Sequence, residues 1–280
     1  MKIKVAAVQM VSGPDVDRNL EVADGLLAQA AKQGAKLALL PEYFCLMSGN
    51  DRDKLGIMEP DAGEWPMQAD AEVPLQCFLS DAAHRYGMTV LGGTVPMRSP
   101  KINKVCNSLL VYGPDGRRLA RYDKIHLFGF QRGDESYDES VAIHPGRTPV
   151  VADVPVDGAL LRVGLSVCYD LRFPELYRQM APLDLMVMPA AFTYTTGQAH
   201  WELLLRARAV EGQCWVLASG QGGTHPGSGR RTWGHSMLVD PWGEVCAVLP
   251  EGEGVVVADL DTERTAQVRE SLPALRHRVI

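Results

Sequence analysis

Cys168 stands at a point in the sequence where a thiol could do chemistry. It comes directly after an apolar run from Leu160 to Val167, and Pro174 marks the start of a helix a few residues later. A cysteine where a buried strand gives way to a helix can lie at the carboxyl edge of a sheet, where open α/β sheets place their ligands. The N–H groups and positive dipole end of that helix favour a thiolate and an oxyanion. Cys168 is therefore a candidate nucleophile.

Two charged residues, Glu42 and Lys124, also follow strand-like runs. Glu42 comes after a short buried strand that Pro41 ends, and Lys124 follows the second strand of a predicted hairpin. A charge beside a buried strand is costly unless it is paired or lies in a wet cleft. Taken alone, each residue also fits a surface salt bridge, and a lone cysteine also fits a core position. The three form a site only if the fold brings them together, which their spacing does not show.

Strand-like and helical patterns alternate in two stretches of the chain, with β-hairpins between and after them. This order predicts two βαβ-type halves whose sheets pack face to face with helices outside. Residues 43–73 and 129–149 show no sustained periodicity, and a polar tail follows residue 260. The predicted strands are 3–9, 37–40, 89–91, 105–112, 117–122, 160–167, 185–188, 214–218, 234–239, 244–249 and 255–260, and the predicted helices are 20–31, 75–86, 174–181 and 201–209.

The length and composition are those of a globular enzyme. The chain has 280 residues, of which 46% are apolar and 22% charged, and no linker divides it. We therefore expect one domain over residues 1–280 with a short C-terminal tail. The net charge of −6 gives no reason to expect a nucleic-acid or membrane partner. No apolar run approaches the roughly 20 residues that span a bilayer, and the first residues predict a strand rather than a signal peptide.

The cysteines and histidines show no metal or cofactor motif. The six cysteines form no CxxC pair, and no HExxH, GxSxG, Walker A or GxGxxG pattern occurs, so we expect no metal and no cofactor. Free thiols in a reducing, cytoplasmic setting are predicted, with the five cysteines other than Cys168 as small buried hydrophobes. A Cys-His protease with His126 or His235 as base stays open, although a structural role is the commoner one for such histidines.

Four motifs resemble the nitrilase superfamily, also called carbon–nitrogen hydrolases. They are Leu40–Glu42, Tyr122–His126, Ser166–Leu176 and Gly234–Gly243, and they occur in the family's order over nearly the whole chain. The resemblance is closest to the Nit branch, which contains omega-amidases and deaminated glutathione amidases. It implies an α/β fold, a four-layer αββα sandwich of the nitrilase type, and commonly a homodimer or higher homo-oligomer.

The same resemblance, carried over position by position, implies roles for several residues. Glu42 would be the general base, Lys124 the oxyanion partner and Cys168 the nucleophile. A second glutamate often supports the lysine in this family. Glu139 in Asp138-Glu-Ser140 is the choice by position, and Glu135 is its rival.

Further residues would meet the substrate. Arg172, in a Nit-like Cys-Tyr-Asp-x-Arg-Phe pattern, would bind a substrate carboxylate, because its planar fork binds such groups bidentately. Pairing of Arg172 with Asp170 or Glu175 is an equal alternative. Three residues follow a strand end, and they either line the pocket or serve only as polar turn residues: Tyr194, Thr195 and Thr196.

Elementary chemistry supports the catalytic roles independently. An unassisted thiol has a pKa near about 8.5, so Cys168 needs a base or a positive charge at neutral pH. Glu42 can accept the proton, and Lys124 can favour the thiolate. Attack on an amide creates an oxyanion that Lys124 and the backbone N–H of Tyr169 could receive. Glu42 would then protonate the departing ammonia and later activate water.

The sequence thus predicts a thiol-dependent amidase that releases ammonia from a small carboxylate-bearing amide. Deaminated glutathione or an α-keto acid omega-amide is the expected substrate, with a weak preference for the first from Gly223–His225 and Arg230–His235. Nitrile hydrolysis, acyl transfer to an amine and a non-catalytic binding protein of the same fold are the alternatives.

Overall fold

A computed structural model describes residues 1–65, 72–133 and 135–279. Helices and strands alternate in two stretches, as the sequence pattern predicts. The strands are β1 (Lys2–Gln9), β2 (Leu37–Leu39), β3 (Thr89–Leu91), β4 (Val95–Arg98), β5 (Val105–Tyr112), β6 (Arg118–Asp123), β7 (Gly129–Arg132), β8 (Glu135–Asp138), β9 (Val150–Val156), β10 (Ala159–Leu165), β11 (Leu185–Ala190), β12 (Trp215–Gly220), β13 (Ser236–Val239), β14 (Val245–Leu249) and β15 (Gly254–Asp261), and the helices are α1 (Val16–Lys32), α2 (Pro74–Tyr86), α3 (Pro174–Met180), α4 (Tyr194–Gly212) and α5 (Thr262–Ser271).

Two sheets carry the fold, and each has a parallel centre. In the first sheet the strand order is β15-β1-β2-β3-β5-β4, with β6 paired to β5. Strands β1, β2 and β3 run parallel, with α1 and α2 as the crossovers between them. In the second sheet the order is β14-β13-β12-β11-β10-β9, and parallel β10, β11 and β12 are joined through α3 and α4. The predicted βαβ halves are therefore present.

The alternation of side chains along β1 shows how the layers stack. Val5 and Ala7 belong to a core that also contains Val187 and Leu217 of the second sheet. Ala6 and Val8 point the other way, into a separate core that includes Leu27 of α1. Helices therefore cover the faces that the sheets do not bury against each other. The predicted four-layer αββα sandwich is confirmed.

Helix ends in the first half follow the local sequence. Asp15 caps α1, where its carboxylate accepts a hydrogen bond from the N–H of Arg18 at 3.1 Å. Gly87 closes α2 in the left-handed region, with φ of 57°, and donates its N–H to the carbonyl of His84 at 3.1 Å. These caps fix the start of α1 and the end of α2, the two helices that cover the first sheet.

Several segments differ from the prediction. The stretch 129–149 contains the hairpin β7–β8 and a 3₁₀ turn at Glu139–Val141, and β9 follows it. The hairpin has mostly solvent-facing side chains, so no apolar alternation marked it. Residues 43–73, of which 66–71 lie outside the described residues, include a 3₁₀ helix at Asp51–Ile57.

The C-terminal half contains more helix than predicted. Helix α4 begins at Tyr194 instead of Trp201, because Thr193 caps it and accepts a hydrogen bond from the N–H of Thr196 at 3.4 Å. The expected polar tail contains α5, which buries only Thr265 and Val268 and so lacks an apolar stripe. Within the described ranges, no helix is both long and apolar enough to cross a bilayer. The single domain over residues 1–280 stays a prediction.

Candidate active site

The carboxylate of Glu42 links the two sheets. Glu42 lies just beyond the end of β2, and its side chain is 1% exposed. Its Oε1 accepts hydrogen bonds from Nζ of Lys124 and Nδ2 of Asn107, each at 2.9 Å. Its Oε2 accepts the backbone N–H of Ala191, directly after β11 of the second sheet, at 2.9 Å. Three donors from three separate segments therefore fix this carboxylate where the sheets meet.

Lys124 follows β6 and is fully buried between two carboxylates. Its Nζ lies 2.9 Å from Oε1 of Glu42, and 2.9 and 2.7 Å from the two carboxylate oxygens of Glu139. Burial by itself lowers the pKa of Lys124, but Glu139 and Glu42 raise it well above the ordinary value for lysine. The side chain is therefore held as an ammonium group throughout the physiological pH range.

Glu139, and not Glu135, is the second glutamate beside Lys124. Glu139 begins the 3₁₀ turn after β8, and it also accepts the Tyr43 hydroxyl at 2.9 Å and the Phe128 N–H at 2.7 Å. Glu135 instead accepts a hydrogen bond from Oγ1 of Thr195 at 3.1 Å. Sequence spacing alone could not show which of the two glutamates contacts Lys124. Glu135 lies in the hairpin β7–β8, and no sequence pattern predicted that hairpin.

Cys168 begins a 3₁₀ turn, Cys168–Arg172, at the end of the β10 segment, and its φ of 51° lies in the left-handed region. A non-glycine residue in that region costs on the order of 1–3 kcal/mol and is often found at functional sites. Burial and then the Glu42 carboxylate raise the pKa of the Cys168 thiol well above its ordinary value, although Lys124 lowers it. The effect of Lys124, which is expected to favour a thiolate, is therefore outweighed in the free enzyme, where the Cys168 thiol keeps its proton.

Asp170 holds the turn that carries the cysteine. Its carboxylate accepts the N–H of Val167 at 2.9 Å, the hydroxyl of Tyr122 at 2.7 Å and the N–H of His126 at 3.0 Å. The first backbone hydrogen bond of the turn runs from Asp170 N–H to the Val167 carbonyl at 3.0 Å. Tyr169 precedes Asp170, so its N–H takes no part in the hydrogen bonds within the turn. It can therefore donate to an oxyanion.

A narrow cavity opens at the Cys168 thiol. Arg172 lies at its rim, with its guanidinium 5.8 Å from the ring of Tyr169 and 5.5 Å from that of Phe192. Both Nη atoms lie 3.3 Å from Nδ1 of His200, and no carboxylate among the described residues is within ion-pair distance. The residues that line the cavity are Phe128, Cys168, Tyr169, Arg172, Ala191, Phe192, Thr193 and Thr196.

Of the three residues predicted to line the pocket, the structure places Thr196 at the cavity and Tyr194 and Thr195 away from it. Both lie in the first turn of α4, where residues three apart share a face, so Thr193 and Thr196 face the cavity together. Tyr194 instead packs against Trp233, with ring centroids 5.0 Å apart. Thr195 bonds to Glu135, as described above.

The two histidines weighed as protease bases have structural partners. Nδ1 of His126 lies 2.7 Å from Asp170, and its ring stacks on Phe173 with centroids 3.7 Å apart. Nδ1 of His235 lies 2.8 Å from the carbonyl of Trp233, on which its ring also stacks. A Cys-His arrangement is therefore not favoured.

The other cysteines are mostly core residues. Burial raises the pKa of Cys45 and Cys214 to about 12 and that of Cys106 to about 11. Cys77 is only partly buried, and Cys246 is exposed, contrary to expectation. Cys246 lies on β14, an edge strand of the second sheet that is only partly covered along its length.

Sequence reasoning missed three groups that complete the site: the amide of Asn107, the hydroxyl of Tyr43 and the N–H of Ala191. A signal existed for Asn107, because it is a buried amide within the mostly apolar strand β5 and such a group needs a partner. No sequence signal marks a backbone N–H. A larger cavity near the C-terminus has no cysteine, serine or threonine among its described lining residues, which include Gln213 and Arg276.

Comparison with known proteins identifies the class. Residues 4–270 match the carbon–nitrogen hydrolase family, so the chain belongs to that family. The deaminated glutathione amidase of Synechocystis sp. is 40% identical over 280 residues, covering 98% of this chain and 97% of that protein. The omega-amidase NIT2 of Bos taurus is 37% identical over 273 residues, covering 96% of this chain and 92% of that protein.

Solved structures agree. The crystal structure of Saccharomyces cerevisiae Nit3, a member of branch 10 of the nitrilase superfamily, is similar with a TM-score of 0.85 and 32% sequence identity. The match covers 100% of this chain and 97% of that one. The resemblance inferred from the four motifs is confirmed. The protein is an amidase of the carbon–nitrogen hydrolase family.

Proposed function

We propose that this amidase hydrolyses small carboxylate-bearing amides with Cys168 as nucleophile and Glu42 as general base. The observation that carries the proposal is the buried cluster of Glu42, Lys124 and Glu139 beside the Cys168 thiol. Buried charges are retained at such density where they act on a reaction, because burial costs several kcal/mol per ion.

In the first half-reaction, Glu42 takes the thiol proton as sulfur attacks the amide carbon. The raised pKa of Cys168 makes this transfer concerted with attack, because little thiolate exists beforehand. Lys124 and the N–H of Tyr169 stabilise the oxyanion, and a donor of this kind is worth about 10²–10³ in rate. Collapse breaks the C–N bond, and Glu42 passes its proton to the departing nitrogen.

In the second half-reaction, Glu42 takes a proton from water while the water oxygen attacks the thioester carbon. The C–S bond then breaks, and the proton on Glu42 returns to sulfur. The other Glu42 oxygen stays bonded to the Ala191 N–H, so the carboxylate keeps one position through both proton transfers. Glu139 acts only through Lys124 and is a positioning residue.

The substrate class is inferred from Arg172 at the rim of the cavity. Arg172 lacks a carboxylate partner among the described residues and is proposed to bind the α-keto acid carboxylate of the acyl group. Deaminated glutathione and α-keto acid omega-amides both carry that group, and the relatives' names support both. Their leaving groups differ: a primary omega-amide releases ammonia, whereas the internal amide of deaminated glutathione releases the amine of cysteinylglycine.

The test is a side-by-side measurement of kcat/KM on deaminated glutathione, α-ketoglutaramate and a neutral amide of equal length, with identification of products. Acid plus the matching amine or ammonia is expected, with the neutral amide poorest. Amide formed from a nitrile would favour nitrile hydrolysis, and an acyl-amine product would favour acyl transfer. Binding without turnover on all substrates would indicate a non-catalytic binding protein.

A cytoplasmic location and a homo-oligomer are also proposed. No disulfide joins any two cysteines in the part of the chain that the structure describes, which is typical of reducing compartments. Leu203 and Val210 of α4 are exposed, as is Trp242 next to Gly243, whose backbone packs against Val210. Such an apolar surface fits contact with a second copy. Light scattering coupled to size exclusion would test this, and a monomer at all concentrations would contradict it.

A further inference from the structure

Arg230 lies beside the catalytic cavity but has no place in the mechanism above. It belongs to the loop between β12 and β13, and its Nη2 donates a hydrogen bond to the carbonyl of Ala191 at 3.3 Å. The N–H of the same residue, Ala191, binds Glu42, and Ala191 lines the cavity with Cys168. The Arg230 guanidinium therefore contacts a residue of the cavity wall.

The charge of Arg230 is not matched by any carboxylate of the residues that the structure describes. No described carboxylate lies within ion-pair distance of it, and its buried Nε has no hydrogen-bond partner. Asp51 is near enough that Arg230 contributes to lowering its pKa, after the opposing effect of burial and the larger effect of Lys54. Asp51 is bonded to Lys54 instead. The guanidinium also lies 4.7 Å over the ring of Tyr137, which fixes its plane.

The neighbouring arginine provides the contrast. Arg231 pairs with Glu251 at 3.0 Å and stacks 3.6 Å over the ring of Tyr194, which does not line the cavity. Its charge is satisfied within the protein. Of these two consecutive arginines, Arg231 is paired, whereas Arg230 lies next to the site with no ion-pair partner among the described residues.

Arg172 lines the narrow cavity, and Arg230 contacts Ala191 of its wall from a different element. Both arginines lack a carboxylate partner among the described residues. Guanidinium groups without a counter-charge at a substrate site are suited to carboxylates, which they bind bidentately. Two such groups fit a substrate with two carboxylates, one on the acyl side and one on the amine side. The cavity itself is narrow, so both ends of such a substrate must extend to the rim.

We propose that Arg230 binds a carboxylate on the leaving amine and so selects dicarboxylate amides with a dipeptide-like leaving group. The inference rests on the proposed function, in which Arg172 takes the acyl-side carboxylate. The terminal carboxylate of deaminated glutathione lies two residues beyond the scissile nitrogen, a reach of at most about 7 Å. An omega-amide that releases ammonia has no such group and gains nothing from Arg230.

The test compares kcat/KM for wild type, Arg230→Gln and Arg231→Gln on three substrates. These are deaminated glutathione, its terminal glycinamide, which lacks the second carboxylate, and α-ketoglutaramate. Arg230→Gln is expected to lose roughly 10–100-fold on deaminated glutathione, mainly in KM, and little on the other two. Arg231→Gln should leave all three unchanged, and Arg230→Lys should restore part of the loss.

Equal loss by Arg230→Gln on all three substrates would show a structural role and overturn the inference, as would no loss on any. A wild type that prefers the glycinamide to the free acid would also overturn it. Failure of wild type on all three substrates would overturn the proposed function instead. In that case calorimetry on Cys168→Ala, with and without Arg230→Gln, still decides: weaker binding of deaminated glutathione alone supports the carboxylate contact, and unchanged binding refutes it.

Discussion

Lys124 and Arg172 are both cations at one cavity, yet their surroundings are opposite. Lys124 is fully buried and contacts carboxylate oxygens of Glu42 and Glu139, whereas Arg172 is partly exposed and has no carboxylate within ion-pair distance in the described ranges. A buried charge must be paired inside the protein before substrate arrives, because an unpaired one is too costly. A cation at the rim stays partly hydrated, so it can remain unpaired until a ligand binds. The comparison therefore separates the groups that carry out the reaction from the groups that select the substrate.

The same contrast predicts where stability lies. Removing one partner of a buried pair costs about 3–5 kcal/mol, while exposed ion pairs are worth about 0–1 kcal/mol. Changes in the cluster should therefore reduce both activity and stability. Changes at the rim should alter substrate preference and leave the free energy of unfolding nearly unchanged.

The largest effect is expected for Cys168→Ala. Turnover should fall on the order of 10⁴-fold or more, because the thioester route needs the sulfur. The thermal midpoint should stay the same or rise, since alanine removes the side chain without leaving a buried charge. Steady-state kinetics and thermal unfolding measure the two effects. Cys246→Ala, which changes an exposed thiol, is the matched control, and full activity in Cys168→Ala would refute the nucleophile assignment.

The next effect is expected for Glu139→Gln. It removes one of the two negative charges on Lys124, so kcat should fall roughly 10²-fold and the thermal midpoint should also drop. Glu135→Gln is the matched control, because Glu135 contacts Thr195 and not the lysine. A similar loss in both variants would mean that the hairpin as a whole, and not the Lys124 contact, supports activity.

A smaller and more selective effect is expected for Arg172→Ala. Substrates with a free acyl-side carboxylate should lose roughly 10–100-fold in kcat/KM, mainly through KM, and neutral amides should change little. The free energy of unfolding should change by no more than about 0.5 kcal/mol. Equal losses on neutral amides would contradict the carboxylate contact and place Arg172 among the cluster's structural supports.

The smallest expected signal concerns the resting thiol. Because burial and Glu42 raise its pKa, Cys168 should bind its proton up to higher pH than an ordinary cysteine, and no thiolate should appear at neutral pH. The thiolate ultraviolet absorbance of wild type minus Cys168→Ala should stay flat from about pH 6 to about pH 9. A step near neutral pH would show that Lys124 outweighs the glutamates after all.

The sequence determined the elements and the reactive side chains. Local patterns predicted most strands and four of the five helices. The motifs around Glu42, Lys124 and Cys168 placed each of these residues at the end of a strand. These features are local, because strand periodicity and a strand end are encoded in a few consecutive residues. The hairpin β7–β8 was not predicted, because its strands are mostly exposed and show no alternation of apolar and polar residues.

Only the tertiary structure decided how those residues act on one another. It brought Glu139 rather than Glu135 to Lys124 and reversed the expected direction of the thiol pKa. Of the three α4 residues predicted for the pocket, it turned only Thr196 towards the cavity. The physical reason is that a pKa and a contact depend on burial and on charges from segments far apart in sequence. Local sequence determines where each strand ends, whereas the packing of the two sheets determines which strand ends lie together.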